Sequence, residues 1–234
     1  HAWLCETLDG VGALRWRELP TPQPTAGEVR VAIRAASLNF PDLLIVEGKY
    51  QFKPPLPFVP GAEFSGHVEA VGSGVGHLKV GDAVAVMGGT GGFGTHACVD
   101  ATRVLPLPPG FAIEDAAAFA FTYGTSHHAL MDRAQLKAGE TVLVLGAGGG
   151  VGTAALQIAK AAGARVIAAT SSDEKCARCK ELGADATLNY SSGNVREALK
   201  ALTDGKGPDV VYDPVGGDLA EPVFRSIAWR GRYL

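Results

Sequence analysis

Apolar and polar residues alternate in two different ways along this chain, and the change falls near residue 118. Before it, short runs such as Val29–Ile33 and Gly66–Val71 alternate between the two classes and are bounded by Gly and Pro. A period of two with dense turn signals is typical of short antiparallel strands. Eleven of the 14 prolines lie in this half. Residues 1–118 are therefore predicted to form an irregular, barrel-like all-β unit.

Residues 119–234 alternate apolar, strand-like runs with helical segments. The predicted strands are Val142–Leu145, Arg165–Ala169, Thr187–Asn189 and Val210–Asp213. The predicted helices are Gly150–Ala162, Asp173–Leu182 and Val195–Leu202. Strands that alternate with helices form right-handed βαβ units on a parallel sheet. Residues 229–234 predict the start of another strand, so we expect the chain to be cut off inside this sheet.

Composition and charge narrow the class of protein. The 234 residues are 47% hydrophobic, enough for a sizeable core, and carry a net charge of −3. That charge gives no general attraction to nucleic acid. The longest uncharged stretch, Thr141–Ala159, contains five glycines and predicts a strand, a loop and a helix, not a membrane span. With four cysteines and no visible signal peptide, a cytoplasmic protein without nucleic-acid or membrane partners is expected.

A glycine-rich loop follows the first strand of the second half and opens its first helix. Its glycines are Gly146, Gly148, Gly149, Gly150 and Gly152. In this context glycines let the backbone approach a pyrophosphate, and the helix N-terminus supplies free N–H groups. No Lys-Ser/Thr pair follows, which disfavours a P-loop NTPase. The loop predicts dinucleotide binding; the alternative is a structural turn that lets helix and sheet pack closely.

The end of the second strand bears on which dinucleotide would bind. An NAD site places a carboxylate there for the ribose 2′-OH. This strand instead ends in the hydroxyls of residues 170–172, and Asp173 is predicted to be a helix N-cap. Hydroxyls and the nearby Lys175 would accept a 2′-phosphate, which a carboxylate would repel. NADP(H) is therefore predicted, although the arginine typical of such sites is absent.

Several motifs together resemble one known family. They are Asn39-Phe40-Pro41-Asp42, Gly48-Lys49-Tyr50, residues 57–66, Val80-Gly81-Asp82, the glycine loop and residues 180–185. The chain resembles the zinc-free quinone oxidoreductase (zeta-crystallin-like) branch of the medium-chain dehydrogenase/reductase superfamily. The resemblance implies a GroES-like β-barrel domain over residues 1–118, which carries substrate and catalytic residues. A Rossmann domain with a doubly wound parallel sheet is expected over 119–234, as is a homodimer.

The resemblance also implies roles for particular residues. The pyrophosphate would be held by Gly148, Gly149, Gly150 and Val151, and the 2′-phosphate by Ser171, Lys175 and Tyr190. Val215 would pass near the nicotinamide ribose, while Asn39 and Thr122 would line the nicotinamide end. Tyr50 is the candidate hydrogen-bond or proton donor. The alternative for Tyr50 is an aromatic ring that packs without a chemical role.

Metal ligands are missing where the superfamily's zinc enzymes have them. Ala62 occupies the position of a histidine ligand, and Asn39 and Thr122 stand near those of two thiolates. A catalytic zinc needs three protein ligands. Without zinc, the favoured reaction is hydride transfer from NADPH to an electrophilic small molecule, a quinone or an enone/enoyl thioester. The alternatives are an enoyl or acryloyl thioester reductase and, more remotely, a non-catalytic NADPH-binding protein that binds RNA or serves as a lens-type structural protein.

Other metal-ligating residues are interpreted as structural. Cys176 and Cys179 lack a second cysteine pair, and His96 and Cys98 would share one face of a strand without further ligands. His67 is likewise predicted to pack on a strand. His127 and His128 are expected near the start of a helix, where we expect them to cap the helix or contact solvent.

Overall fold

The computed structural model describes all residues from 1 to 234 and divides into two units, His1–Phe121 and Thr122–Leu234. None of its helices has both the length and the apolar character that crossing a membrane requires.

The first unit is built on antiparallel strands. Its strands are β1 (Ala2–Leu4), β2 (Arg15–Arg17), β3 (Glu28–Ala36), β4 (Glu63–Val71), β5 (Ala83–Met87), β6 (His96–Asp100) and β7 (Val104–Pro106). β1 and β2 pair with each other, and the other five form a sheet in the order β6-β3-β4-β5-β7. Alternation places Val29 and Val31 of β3 in a core with Phe64 of β4, because successive strand residues face opposite sides.

Two helices interrupt this unit, so the all-β prediction was incomplete. They are α1 (Phe40–Val46) and α2 (Ile113–Ala116). The N–H of Asn39, the N-cap of α1, donates to the Asp42 carboxylate at 2.9 Å, and Pro41 lies in the first turn. An Asn followed three residues later by an acidic residue, with a proline between them, is a helix-start signal. That signal was present in the sequence.

The second unit alternates parallel strands with helices. Its strands are β8 (Thr141–Leu145), β9 (Arg165–Thr170), β10 (Ala186–Asn189), β11 (Val210–Tyr212) and β12 (Arg232–Tyr233). The helices in chain order are α3 (Ala120–His127), followed by a π-helical turn at His128–Arg133, then α4 (Gly150–Ala161), α5 (Asp173–Glu181), α6 (Val195–Leu202) and α7 (Ala220–Phe224). The predicted strands and helices of this half are confirmed to within two residues.

The order of the parallel strands determines where a ligand would bind. The order is β10-β9-β8-β11-β12, so the chain builds outward from β8 in one direction and then from β11 in the other. In such doubly wound sheets a crevice opens at the carboxyl ends of the strands where the direction reverses. Here that point lies between β8 and β11. The predicted fold class, an antiparallel β unit followed by a doubly wound parallel sheet, is confirmed.

Three local predictions in the second unit need correction or sharpening. His127 is the last residue of α3 and His128 is the first residue of the π-helical turn that follows, so the pair lies well inside a helical segment that begins at Ala120. The N-cap of α5 is Ser172, whose hydroxyl accepts from the Lys175 N–H at 3.3 Å; Asp173 instead lies in the first turn. Cys176 and Cys179 are both buried free thiols on α5.

Candidate functional site

The glycine loop between β8 and α4 closes tightly on itself. Gly146 has a φ of +59°, and α4 starts at Gly150. A Cβ on Gly152 would lie 2.3 Å from the carbonyl oxygen of Gly146, closer than any side chain allows. Only glycine therefore fits at position 152, and the helix comes directly off the end of the strand.

The loop presents unpaired backbone donors. The Gly149 N–H donates to Gly146 O at 2.9 Å, and the first bond inside α4 runs from Thr153 N to Gly149 O at 2.8 Å. The first-turn N–H groups of Gly150, Val151 and Gly152 thus have no acceptor within the helix. Together with the helix dipole they suit an anion, and the missing side chains leave room for a pyrophosphate. These residues fit a dinucleotide.

Two residues far away in sequence lie against this loop. A Cβ on Gly146 would lie 2.8 Å from Cγ2 of Val215, and one on Gly150 would lie 3.2 Å from Cγ2 of Thr122. The Asp213 carboxylate holds the Val215 segment by accepting from the N–H groups of residues 215 and 216, at 2.9 and 2.8 Å. The fold therefore brings Thr122 and Val215 to the loop at the reversal point.

A lysine covers the other side of the loop. A Cβ on Gly148 would lie 3.3 Å from Cβ of Lys175, and the Lys175 ammonium lies 3.3 Å from the Ser171 hydroxyl oxygen. Ser171 and Lys175 thus form one hydroxyl–cation pair next to Gly148. Thr170 takes no part in it, since its side chain is buried and donates to Ser172 O at 2.9 Å. Of the three hydroxyls predicted to be available to a 2′-phosphate, that of Thr170 is therefore excluded.

Tyr190 and Asp173 lie at the same edge of the sheet. The Tyr190 N–H donates to Thr170 O at 2.9 Å, which places this tyrosine just past the carboxyl end of β10, next to β9. The Asp173 carboxylate accepts from the Asn189 side-chain amide at 2.8 Å. Asp173 is thus engaged by Asn189 in the first turn of α5 and does not stand at the tip of β9.

In the first unit, the half-buried Asn39 belongs to a polar cluster that sequence reasoning missed. Its side-chain amide donates to Ser37 Oγ at 2.9 Å and to Glu63 Oε2 at 3.5 Å. Glu63 is fully buried and also accepts from the Ser37 hydroxyl at 2.7 Å and from the Phe121 N–H at 2.7 Å. Glu63 therefore fixes both the Asn39 side chain and the residue that immediately precedes Thr122.

A second buried carboxylate completes the cluster. Asp42 accepts from the N–H groups of Asn39 and Ala62, each at 2.9 Å. Burial raises the pKa of Asp42, and the two N–H donors offset only part of that rise; the charge of Glu63 adds to it. Asn39 is thus held through both its backbone and its side chain, which is the kind of rigid support a positioned polar group needs.

Tyr50 lies at the edge of a small apolar cluster. It is half-buried and packs against a core of Cys5, Ile45, Val46 and Phe58. This contact supports a packing role for the ring and leaves the hydroxyl as a candidate donor.

The three positions that the resemblance matches to zinc ligands hold a methyl group, an amide and a hydroxyl, on Ala62, Asn39 and Thr122. Zinc sites in proteins use thiolate, imidazole and carboxylate donors. No three His, Cys, Asp or Glu side chains of the chain are grouped so that they could hold a metal ion. The residues present at these positions do not fit a catalytic zinc.

The second unit is a dinucleotide-binding fold: a doubly wound parallel sheet with a glycine loop at the point where the strand order reverses. Two family models match the chain, one within each of its two units. "Alcohol dehydrogenase GroES-like domain" matches residues 25–109, and "Zinc-binding dehydrogenase" matches residues 150–234.

Known relatives identify the branch. The chain is 41% identical to quinone oxidoreductase-like protein 2 of Mus musculus over 91% of its own length and 61% of the relative's. With the Bos taurus protein of the same name it shares 39% identity over 100% and 71% of the two lengths. The solved Escherichia coli quinone oxidoreductase complexed with NADPH superposes with a TM-score of 0.94 at 33% identity, over 99% and 71% of the chains.

The chain belongs to the quinone oxidoreductase branch of the medium-chain dehydrogenase/reductase superfamily. It spans about three fifths of the length of the mouse relative.

Proposed function

We propose that this protein is an NADPH-dependent reductase that transfers a hydride to a quinone without a metal. The observation that carries the proposal is the pair formed by Lys175 and Ser171 next to Gly148. A cation and a hydroxyl at the end of β9 suit the 2′-phosphate that distinguishes NADPH from NADH. The NADPH complex of the Escherichia coli relative supports the same choice of cofactor.

The glycine loop would bind the shared part of the cofactor. The N–H groups of Gly150, Val151 and Gly152 would donate to the pyrophosphate, and Thr122 and Val215 would pack where the nicotinamide end begins. When bound, NADPH supplies a hydride, that is, both electrons of the reduction, and a proton from solvent or a side chain completes the hydroquinone.

The residues of the first unit would act on the acceptor. The Asn39 side chain, held by Ser37 and Glu63, is a preorganised polar group that would be positioned against the acceptor. Tyr50 is the candidate proton donor. An alcohol substrate would need a Lewis acid to polarise it, and the methyl, amide and hydroxyl groups at residues 62, 39 and 122 do not fit one. The favoured hydride acceptor is therefore a molecule that is electrophilic without a Lewis acid, such as a quinone.

A substrate panel tests the proposal. Initial rates are followed by the loss of NADPH absorbance with benzoquinone, with an enoyl thioester such as crotonyl-CoA, and in reverse with ethanol and NADP⁺. We expect turnover with the quinone, none with ethanol, and the same rate after dialysis against a chelator. Turnover of crotonyl-CoA alone would assign an enoyl thioester reductase, and a rate restored only by added zinc would contradict the metal-free reaction.

A further inference from the structure

The first unit contains a hollow that none of the proposed cofactor-binding residues lines. It has a volume of about 510 Å³. Its lining combines four apolar residues, two polar ones and a glycine: Ala62, Met87, Leu105, Phe121, Thr102, Arg103 and Gly89. We call it the Arg103 pocket. Its volume lies within the range of sites for small organic molecules.

Two apolar residues in the lining of this pocket are exposed. Met87 at the end of β5 is 48% exposed and Leu105 on β7 is 57% exposed. Val104, the neighbour of Leu105 along the strand, is buried in the core. Leu105 therefore faces away from the core while its strand is firmly packed. Exposed apolar residues that gather at a concave surface are typical of a binding site.

Arg103 is the one cation of the lining, and it also acts on the nearby Asp100, whose pKa is lowered by hydrogen bonds from Thr102 and by the charge of Arg103. Its guanidinium donates one hydrogen bond, from Nη1 to Gly88 O at 3.1 Å, and forms no ion pair. The neighbouring acid, Asp100, is engaged by Thr102, whose N–H and hydroxyl donate to it at 2.8 and 2.7 Å. Gly89 lacks a side chain next to the guanidinium; a Cβ there would lie 3.7 Å from Nη1. The remaining N–H donors suit a carboxylate or sulfonate.

Two lining residues of the pocket, Ala62 and Phe121, are hydrogen-bonded to the carboxylates of the cluster around Asn39. The Ala62 N–H donates to Asp42, and the Phe121 N–H donates to Glu63. A molecule in this pocket would thus rest on two residues whose backbone is fixed by the same carboxylates that hold Asn39. Because Asn39 is one of the residues proposed to act on the electron acceptor, this shared support associates the pocket with the acceptor.

We propose that the Arg103 pocket binds the electron acceptor and selects a planar aromatic molecule that carries an anionic substituent. Met87, Leu105 and Phe121 contact the ring system, and Arg103 pairs with the carboxylate or sulfonate. This inference rests on the proposed function for the identity of the acceptor. The binding preference itself is independent of turnover.

The test separates binding from reaction. Binding of naphthalene sulfonate and of the uncharged naphthalene sulfonamide is measured by calorimetry, and kcat/KM is measured for naphthoquinone sulfonate and for naphthoquinone. Arg103→Gln should weaken sulfonate binding, and lower kcat/KM for the sulfonated quinone, by about tenfold or more, with the neutral compounds changed less than about twofold. Arg15→Gln is the matched control, because Arg15 is also exposed and donates from Nη1 to a backbone carbonyl, Gly12 O.

A second variant keeps the arginine and changes the pocket. Leu105→Glu places a negative charge among the lining residues and should weaken sulfonate binding while thermal unfolding stays close to that of the wild type. Equal losses for charged and neutral compounds in Arg103→Gln, or unchanged sulfonate binding, would overturn the inference. If the wild type binds the sulfonate through Arg103 but reduces no quinone, the proposed function fails and the pocket stands.

Discussion

The side chain of Lys175 lies directly over Gly148 of the glycine loop. A Cβ on Gly148 would approach Cβ of Lys175 to 3.3 Å, and the lysine ammonium reaches the Ser171 hydroxyl at the same distance. Lys175 is exposed in the first turn of α5 and forms no salt bridge with a carboxylate. Under the proposed function, this cation would pair with the 2′-phosphate of NADPH.

The first prediction concerns cofactor preference. Wild-type protein should bind NADPH about tenfold more tightly than NADH, because only NADPH carries the phosphate that Lys175 would pair with. Lys175→Ala should weaken NADPH binding by about that factor and leave NADH binding unchanged, measured by fluorescence titration. Lys200→Ala, an exposed lysine on α6, is the control. Equal affinities of the wild type for both cofactors would contradict the 2′-phosphate site.

The second prediction concerns the tight turn of the loop. Gly152→Ala places a Cβ 2.3 Å from the carbonyl oxygen of Gly146, so α4 must shift. We expect a loss of about 1–3 kcal/mol in the free energy of unfolding and a loss of cofactor binding. Gly124 of α3 has nothing within 4 Å of its Cβ direction. Gly124→Ala should therefore stabilise the helix by about 0.5–1 kcal/mol. Equal unfolding curves for the two variants would refute this account.

The third prediction assigns Glu63 as a positioning residue that acts through Asn39. Glu63→Gln and Asn39→Ala should each lower kcat, by about tenfold, with NADPH affinity unchanged. The double variant should lose no more than either single one, because the two residues contribute through one contact. Additive losses would mean that Glu63 acts elsewhere. Amide hydrogen exchange at Phe121 gives a readout without turnover: it should speed up in Glu63→Gln and stay slow in Asn39→Ala.

The fourth prediction decides between the two roles of Tyr50. If its hydroxyl donates to the acceptor, Tyr50→Phe lowers kcat with little change in NADPH affinity or thermal stability, since the ring that packs on the Cys5 cluster is retained. We expect this outcome. Unchanged turnover would make Tyr50 a packing residue only, in which case Tyr50→Ala should reduce stability.

The fifth prediction uses the ion pair between Glu140 and Arg232 in the second unit. The Nη1 and Nη2 nitrogens of Arg232 donate to the Glu140 carboxylate, at 2.9 and 2.7 Å. Hydrogen bonding from Arg232 holds the pKa of Glu140 below its ordinary value, and partial burial offsets some of that effect. Because the folded-state pKa is the lower one, the stabilisation is present above the unfolded value of about 4.3 and is lost as pH falls through the folded-state value.

Glu140→Gln should accordingly lower the free energy of unfolding by about 1–2 kcal/mol at neutral pH. The difference from the wild type should shrink on acidification. Urea unfolding across a pH series measures it. Glu181→Gln breaks an exposed pair with Arg178 and should change little at any pH. A difference that stays constant between neutral and acid pH would show that the pair does not act through ionisation.

Much of the fold could be predicted from local patterns. The strands and helices of residues 141–212 follow from the periodicity of their apolar residues, and the spacing of five glycines after one strand indicates a phosphate loop. Helix α1 could have been found as well, since Asn39, Pro41 and Asp42 form a local start signal. These features depend on neighbours within a few residues, so the order of amino acids is enough to define them.

The partners of the buried carboxylates depend on the tertiary structure. Glu63 meets Ser37 across 26 positions and Phe121 across 58, because strand pairing and α2 bring those segments together. Likewise, burial engages the Thr170 hydroxyl internally and leaves Ser171 with Lys175 at the surface. The identity of these side chains is written in the sequence. Strand register and packing determine which of these side chains are buried and hydrogen-bonded, and no local pattern in the sequence encodes them.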